Sequence, residues 1–87
     1  MAKYRVQYAG QAEKVHAGMD DAYRRRFDTE LQRSLGQNPY GHGSSPVRRG
    51  QEEHRRQITV AGSIVQYYVS DAVAVVTAVQ VVRGLWG

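Results

Sequence analysis

The sequence predicts an α+β domain: two N-terminal helices packed on one face of a four-stranded, mostly antiparallel sheet, in the order β-α-α-β-β-β. Three observations predict it. Apolar residues recur with a period of two at the start of the chain, close to four between Met19 and Leu35, and two again from His54 onward. Turn-forming residues gather where the period changes, above all between Pro39 and Gln51. Finally, 87 residues can enclose one core and not two, so one sheet under one helical layer is the natural arrangement. Residues 1–87 are read as a single domain.

The first strand runs Lys3-Tyr4-Arg5-Val6-Gln7-Tyr8, with Tyr4, Val6 and Tyr8 inward and the charged and amide residues outward. Ala9-Gly10 ends it. Gln11 to Ala17 makes two helical turns, with Ala12, Val15 and His16 or Met19 on the inner side, and Gly18 closes them. The second helix starts at an N-cap, Asp20 or Asp21, whose negative charge also suits the helix dipole. Met19, Tyr23, Phe27, Leu31 and Leu35 form its apolar stripe, and Gly36 with Asn38-Pro39 stops it. Pro39 to Gln51 reads as a loop, with Arg48 and Arg49 at its far end.

Arg56, Ile58 and Val60 then alternate with Arg55, Gln57 and Thr59. Ala61-Gly62 is a two-residue turn, so Ser63 to Val69 returns as a hairpin. Ser70-Asp71 turns again. Ala72 to Val82 is almost all valine and alanine, which suits a central strand or one covered on both faces.

Composition narrows the function. The chain has no cysteine, which removes disulfides and thiolate metal sites and points to a reducing, cytoplasmic setting. Met1 to Gly10 lacks the apolar run of a signal sequence. Gln66, Ser70, Asp71, Thr77 and Gln80 interrupt the only long apolar stretch, so no membrane span is expected. The formal charge is +4, from 12 basic and 8 acidic residues, which suits a nucleic acid or an acidic protein. No phosphate-cradling glycine loop, nucleophile elbow or pair of facing carboxylates is present. His16, His42 and His54 lack metal-ligand spacing, and no cofactor is expected.

Several segments, taken in order, carry a resemblance: Tyr4-Arg5-Val6-Gln7-Tyr8 followed by Ala12-Glu13-Lys14; the Arg-rich helix Arg24 to Leu35; the Asn38-Pro39 turn with Gly41; the basic hairpin Arg55 to Tyr67; and the closing strand Thr77 to Arg83. The ordered set is similar to the RelE/ParE superfamily, the toxins of bacterial type II toxin–antitoxin pairs. That resemblance implies a cognate antitoxin as partner, and translation as target. Many members enter the ribosomal A site and cut messenger RNA without a metal. The 2′-hydroxyl attacks the adjacent phosphate while side chains move protons and stabilise the phosphorane. Other members leave RNA intact and poison DNA gyrase, and a non-toxic binding module of the same fold is a further alternative. The antitoxin would cover the Arg-rich helix and the Ala/Val strand, which has few charges to guard an edge.

The resemblance nominates Arg55, Gln57 and Arg83 as site residues; His54, Arg48, Arg49, Arg56 and Tyr67 are candidates by their chemistry and position alone. Arg55, Arg83 and His54 are the candidate catalytic groups. Arg55 is a phosphate ligand on the outer face of its strand, Arg83 the only charge after Asp71, and His54 a proton carrier. Arg48, Arg49, Arg55, Arg56, Gln57 and Tyr67 are the candidate RNA-binding residues. Arg56 falls on the face opposite Arg55, where Glu52 or Glu53 is its expected partner. Of Tyr67 and Tyr68, on opposite faces, one belongs to the core and the other can stack on a base; Tyr40 and Trp86 are further stacking candidates. Two departures count against full nuclease activity. RNA-cleaving members carry an arginine two residues past the turn glycine, where this chain has Ile64, and often a tyrosine after the last strand, where it has Gly84-Leu85-Trp86. Weak or altered cleavage is therefore expected.

Overall fold

The computed structural model describes residues 3–41, 43–47 and 55–84. The first strand, β1 (Arg5–Tyr8), is short. Just ahead of it the Lys3 and Tyr4 amides both donate to Gly36 O at 2.8 Å, which ties the start of the strand to the end of the second helix. Gly36 is buried there, and a Cβ on it would stand 2.3 Å from the Gln32 backbone oxygen, so a side chain has no room.

Two helices follow, α1 (Gly10–Ala17) and α2 (Asp21–Ser34). Asp20 is the N-cap of α2: its carboxylate accepts from the Tyr23 N–H at 2.8 Å. Arg24, in the first turn of α2, reaches back to donate to His16 O at 3.3 Å and Met19 O at 2.6 Å. It thereby ties the turn between the two helices to the first turn of α2. Met19, Phe27, Leu31 and Leu35 are buried as the stripe predicts, and Tyr23 packs at its margin.

The predicted loop contains a strand. Residues Ser45–Pro46 form β2, which pairs Ser45 with Gln57 and Pro46 with Arg56. The hairpin strands are β3 (Arg55–Val60) and β4 (Ser63–Ser70); a 3-10 turn, Asp71–Val73, leads into β5 (Val75–Arg83). The sheet order is β1-β5-β4-β3-β2, with β1 parallel to β5 and all other pairs antiparallel. The α+β class and the mostly antiparallel sheet stand, and the strand number rises from four to five. A two-residue strand is too short to show a period, so turn formers hide it. β5 is central, as its Val/Ala composition predicts. It is therefore not the unguarded edge that the partner argument assumed; the edges are β1 and β2.

Both helices lie on one face of the sheet. Ile58, Val60, Val65, Tyr67, Val76, Ala78 and Val81 meet Ala12 and the α2 stripe there. No described element covers the other face, where Ile64, Tyr68 and Val82 stay 40–48% exposed. One irregularity sets which residues face which way. β4 and β5 pair from Ser70↔Val75 to Tyr67↔Ala78, then resume at Gln66↔Gln80, so Val79 is an extra residue, a β-bulge. Plain alternation from the buried Ala78 would send Val81 outward; the bulge turns Val81 inward, at 1% exposure, and Gln80 outward. The β3–β4 turn has positive φ at both Ala61 (50°) and Gly62 (80°), the signature of a type I′ hairpin.

Candidate nucleic-acid interface

The uncovered face of the sheet is assembled in rows by the strand register. One row runs Gln7, Thr77, Tyr68, Arg55 across β1, β5, β4 and β3; the next runs Gln80, Gln66, Gln57, Ser45 across β5, β4, β3 and β2. Val82, Ile64 and Thr59 make a third row, and Arg5 stands at the β1 edge. The face is held by local bonds. Gln7 Nε2 donates to Thr77 Oγ1 at 3.0 Å, and Arg55 Nη2 to Gln66 Oε1 at 3.4 Å. The Arg55 guanidinium carbon also lies 5.4 Å from the centroid of the Tyr68 ring. Every described carboxylate lies elsewhere: Glu13, Asp20, Asp21, Asp28 and Glu30 on or beside the helices, and Asp71 in the 3-10 turn. The open face thus carries cations, amides and one aromatic ring, with no acid among its described residues.

Only part of the sequence-predicted site comes together here. Arg55 and Gln57 are on the open face, as expected. Arg83 is not beside them. It pairs with Ser63 and shares the helical side, where its guanidinium sits 4.2 Å from the centroid of the Tyr23 ring. The bulge is the cause, because plain alternation from the outward Thr77 would have turned Arg83 outward. Arg55 stands opposite Tyr68 and Arg83 opposite Ser63, so about 17 Å of strand separates them at about 3.4 Å per residue. With the sheet between them, the two cannot act on one phosphate.

Tyr67 does not present a stacking surface. It is fully buried, and its hydroxyl bonds Pro39 O and Ser44 Oγ. Burial pushes its phenol up, against the lowering effects of Ser44 and Arg56. Tyr68 is the exposed member of the pair. Arg56 is engaged by the loop: Nε donates to Ser44 Oγ at 2.7 Å, Nη2 to Ser44 O at 3.1 Å and Tyr40 O at 3.4 Å, and its guanidinium carbon lies 5.3 Å from the centroid of the Tyr40 ring. It braces the approach to β2 rather than facing a ligand. His54, Arg48, Arg49, Trp86 and the expected Arg56 partners Glu52 and Glu53 lie outside the described residues.

Other polar clusters are braces. Tyr8 OH donates to Asp28 Oδ1 at 2.7 Å, and His16 Nε2 meets the same oxygen at 2.7 Å. The Tyr8 and His16 rings stack 4.1 Å apart. Burial, then the bond to Asp28, raises the Tyr8 phenol far above its ordinary range. The cluster joins β1, α1 and α2. Among the described residues no three His, Cys, Asp or Glu side chains gather to hold a metal ion, and no helix is long and apolar enough to cross a membrane.

Comparison with known proteins adds the fold. No family model matches the chain, and no curated protein matches it in sequence. Among solved structures, a chain of the archaeal RelE-RelB complex from Pyrococcus horikoshii OT3 is similar, at 18% identity and a TM-score of 0.70, over 98% of this chain and 99% of that one. A chain of the toxin-antitoxin complex RelBE2 from Mycobacterium tuberculosis is similar at 17% identity and a TM-score of 0.73, over 95% of this chain and 93% of that one. The five-strand order, the two helices on one face and the end-to-end match agree on one architecture: the chain has a RelE-like fold.

Proposed function

We propose that this chain is the toxin of a type II toxin–antitoxin pair and inhibits translation by binding ribosome-associated messenger RNA on its open sheet face, with weak cleavage. The observation that carries the reading is a RelE-like fold over nearly the whole chain, with a sheet face that bears Arg55 and Arg5 and no carboxylate among its described residues. The two similar structures named above are both toxin–antitoxin complexes, which supports an antitoxin as partner. A cytoplasmic setting goes with that role.

Weak cleavage follows from the side chains on the face. In-line attack by a 2′-hydroxyl needs a proton acceptor, cations around the phosphorane and a proton donor for the leaving oxygen. Among the described residues of the open face near Arg55, namely Tyr68, Gln57, Gln66, Gln80, Ile64 and Val82, none is a second cation, a carboxylate or an imidazole. Each missing stabilising group costs about two to three orders of magnitude in rate. The same scarcity of cations favours one second reading, a gyrase-directed toxin that cuts no RNA.

Induced expression in a bacterium tests the proposal. Growth should stop, and co-expression of a cognate antitoxin, sought among the products of the adjacent genes, should restore it. Primer extension on translating ribosomes and plasmid supercoiling then separate the targets. Relaxed or broken plasmid with intact translation would transfer the assignment to gyrase; undisturbed growth would leave a binding module.

A further inference from the structure

We infer that Tyr68 is the general acid of the weak cleavage, donating its phenol proton to the 5′-oxygen as that oxygen leaves a phosphate held on Arg55. This rests on the reading of the chain as an RNA-directed toxin, and it names the proton donor that the open face supplies. Three observations carry it.

The chain has six tyrosines, and five of them spend the hydroxyl inside the fold. Tyr4 and Tyr40 donate to Asp71, Tyr8 to Asp28, Tyr23 to Ala61 O and Tyr67 to Pro39 O. Tyr68 is the sixth. No described residue bonds its hydroxyl, and it is 40% exposed on β4, the middle strand of the sheet. Second, the register sets Tyr68 directly opposite Arg55, with the guanidinium carbon 5.4 Å from the ring centroid. The bond from Arg55 to Gln66 is long, at 3.4 Å, and a charge-assisted bond to phosphate is the stronger of the two. A phosphate on Arg55 therefore borders the Tyr68 ring. Third, no other described residue on that part of the face gives up a proton as readily. Gln57, Gln66 and Gln80 are neutral amides, Ser45 and Thr77 aliphatic hydroxyls, and a phenol is a far stronger acid than either. With no tyrosine after Arg83, the role falls to the middle strand. The step balances. The 2′-oxygen bonds phosphorus as the bond from phosphorus to the 5′-oxygen breaks. The phenol proton passes to the 5′-oxygen, and water takes the 2′-hydroxyl proton and returns one to the phenolate. The products are a 2′,3′-cyclic phosphate and a 5′-hydroxyl. An acid with no base beside it gives slow cleavage, in keeping with the weak activity proposed.

The test is single-turnover cutting of a synthetic messenger on ribosomes by the full chain. The codon in the A site carries either an ordinary linkage or one in which sulfur replaces the 5′-oxygen. A thiolate leaves without needing a proton, so the sulfur linkage dispenses with the acid. On the ordinary linkage Tyr68→Phe should cut at least about 100-fold more slowly than wild type, with unchanged RNA affinity by fluorescence anisotropy. On the sulfur linkage the two proteins should cut alike. Arg55→Ala should stay slow on both linkages, because the phosphorane still lacks its cation. Melting curves would confirm that each variant folds. Wild-type cutting by Tyr68→Phe on the ordinary linkage, or slow cutting by it on both, would overturn the inference and leave the toxin reading in place. A wild type that cuts neither linkage would overturn the inference together with RNA cleavage, whereas failure of the toxin reading shows as undisturbed growth.

Discussion

At the scale of single residues, tyrosine hydroxyls do much of the joining. Asp71 accepts from Tyr4 OH through one oxygen and Tyr40 OH through the other, both at 2.8 Å, so one carboxylate links the start of β1, the loop after α2 and the 3-10 turn. The bond to Asp71 raises the Tyr4 phenol. Partial burial, then the same carboxylate, pushes the Tyr40 phenol up to about 12. A raised folded-state pKa means that the folded chain holds the proton more tightly than the unfolded one. The stabilisation is whole below pH 10, the ordinary tyrosine value, and is lost as pH climbs to about 12. Urea midpoints measured from neutral pH upward should therefore hold to about pH 10 and fall above it. In Asp71→Asn the fall should be smaller, because the neutral amide removes the charge that holds the Tyr40 proton. Absorbance of ionised phenol should show Tyr8 titrating only as the chain unfolds.

At the scale of elements, the hairpin offers the cleanest adjustment. Ala61 occupies a left-handed conformation that costs an L-residue with a Cβ about 1–2 kcal/mol, and type I′ turns favour Asn-Gly. Ala61→Asn should stabilise the chain by about 0.5–1 kcal/mol, seen as a rise of several degrees in melting temperature. The hairpin also shows what was legible in the residues. A two-residue turn sets Ser63 against Val60; followed through, that register would have put Tyr68 beside Arg55 and Gln57, where the sequence reading nominated Tyr67. The Phe27–Leu31–Leu35 stripe and the N-cap could likewise be read from spacing. Two features could not. Ser45–Pro46 is too short to carry a pattern. The bulge at Val79 leaves no trace in a run of valine and alanine, since either face accepts those residues. The true side of Arg83, and the place of Gln80 in the glutamine row, both depend on that bulge.

At the scale of the whole molecule, the sheet divides labour between its faces. The helical side buries the core and carries nearly every described carboxylate; the open side carries the candidate interface. The two arginines singled out by sequence should therefore fail in different ways. Arg83→Ala removes a cation–π contact with Tyr23, so it should cost about 0.5–1 kcal/mol of stability and leave RNA binding within twofold. Arg55→Ala should weaken RNA binding severalfold with little change in melting temperature. Calorimetry and anisotropy on the same two proteins would separate the roles. The opposite pattern would place the interface on the helices.

The bulge has a consequence for how such a chain changes over generations. Removing Val79 would let Ala78 and Gln80 follow one another in plain alternation, with Val81 still inward and Val82 still outward. Loss of one codon there changes the length of the gene without exchanging the faces of the strand. Lineages can therefore gain or lose a residue at this point while keeping the same surface. Two relatives that differ there will show their last-strand residues out of step when written without a gap. The deletion can be made directly: a folded protein with wild-type RNA affinity is expected, and an unfolded one would show that the bulge itself is required.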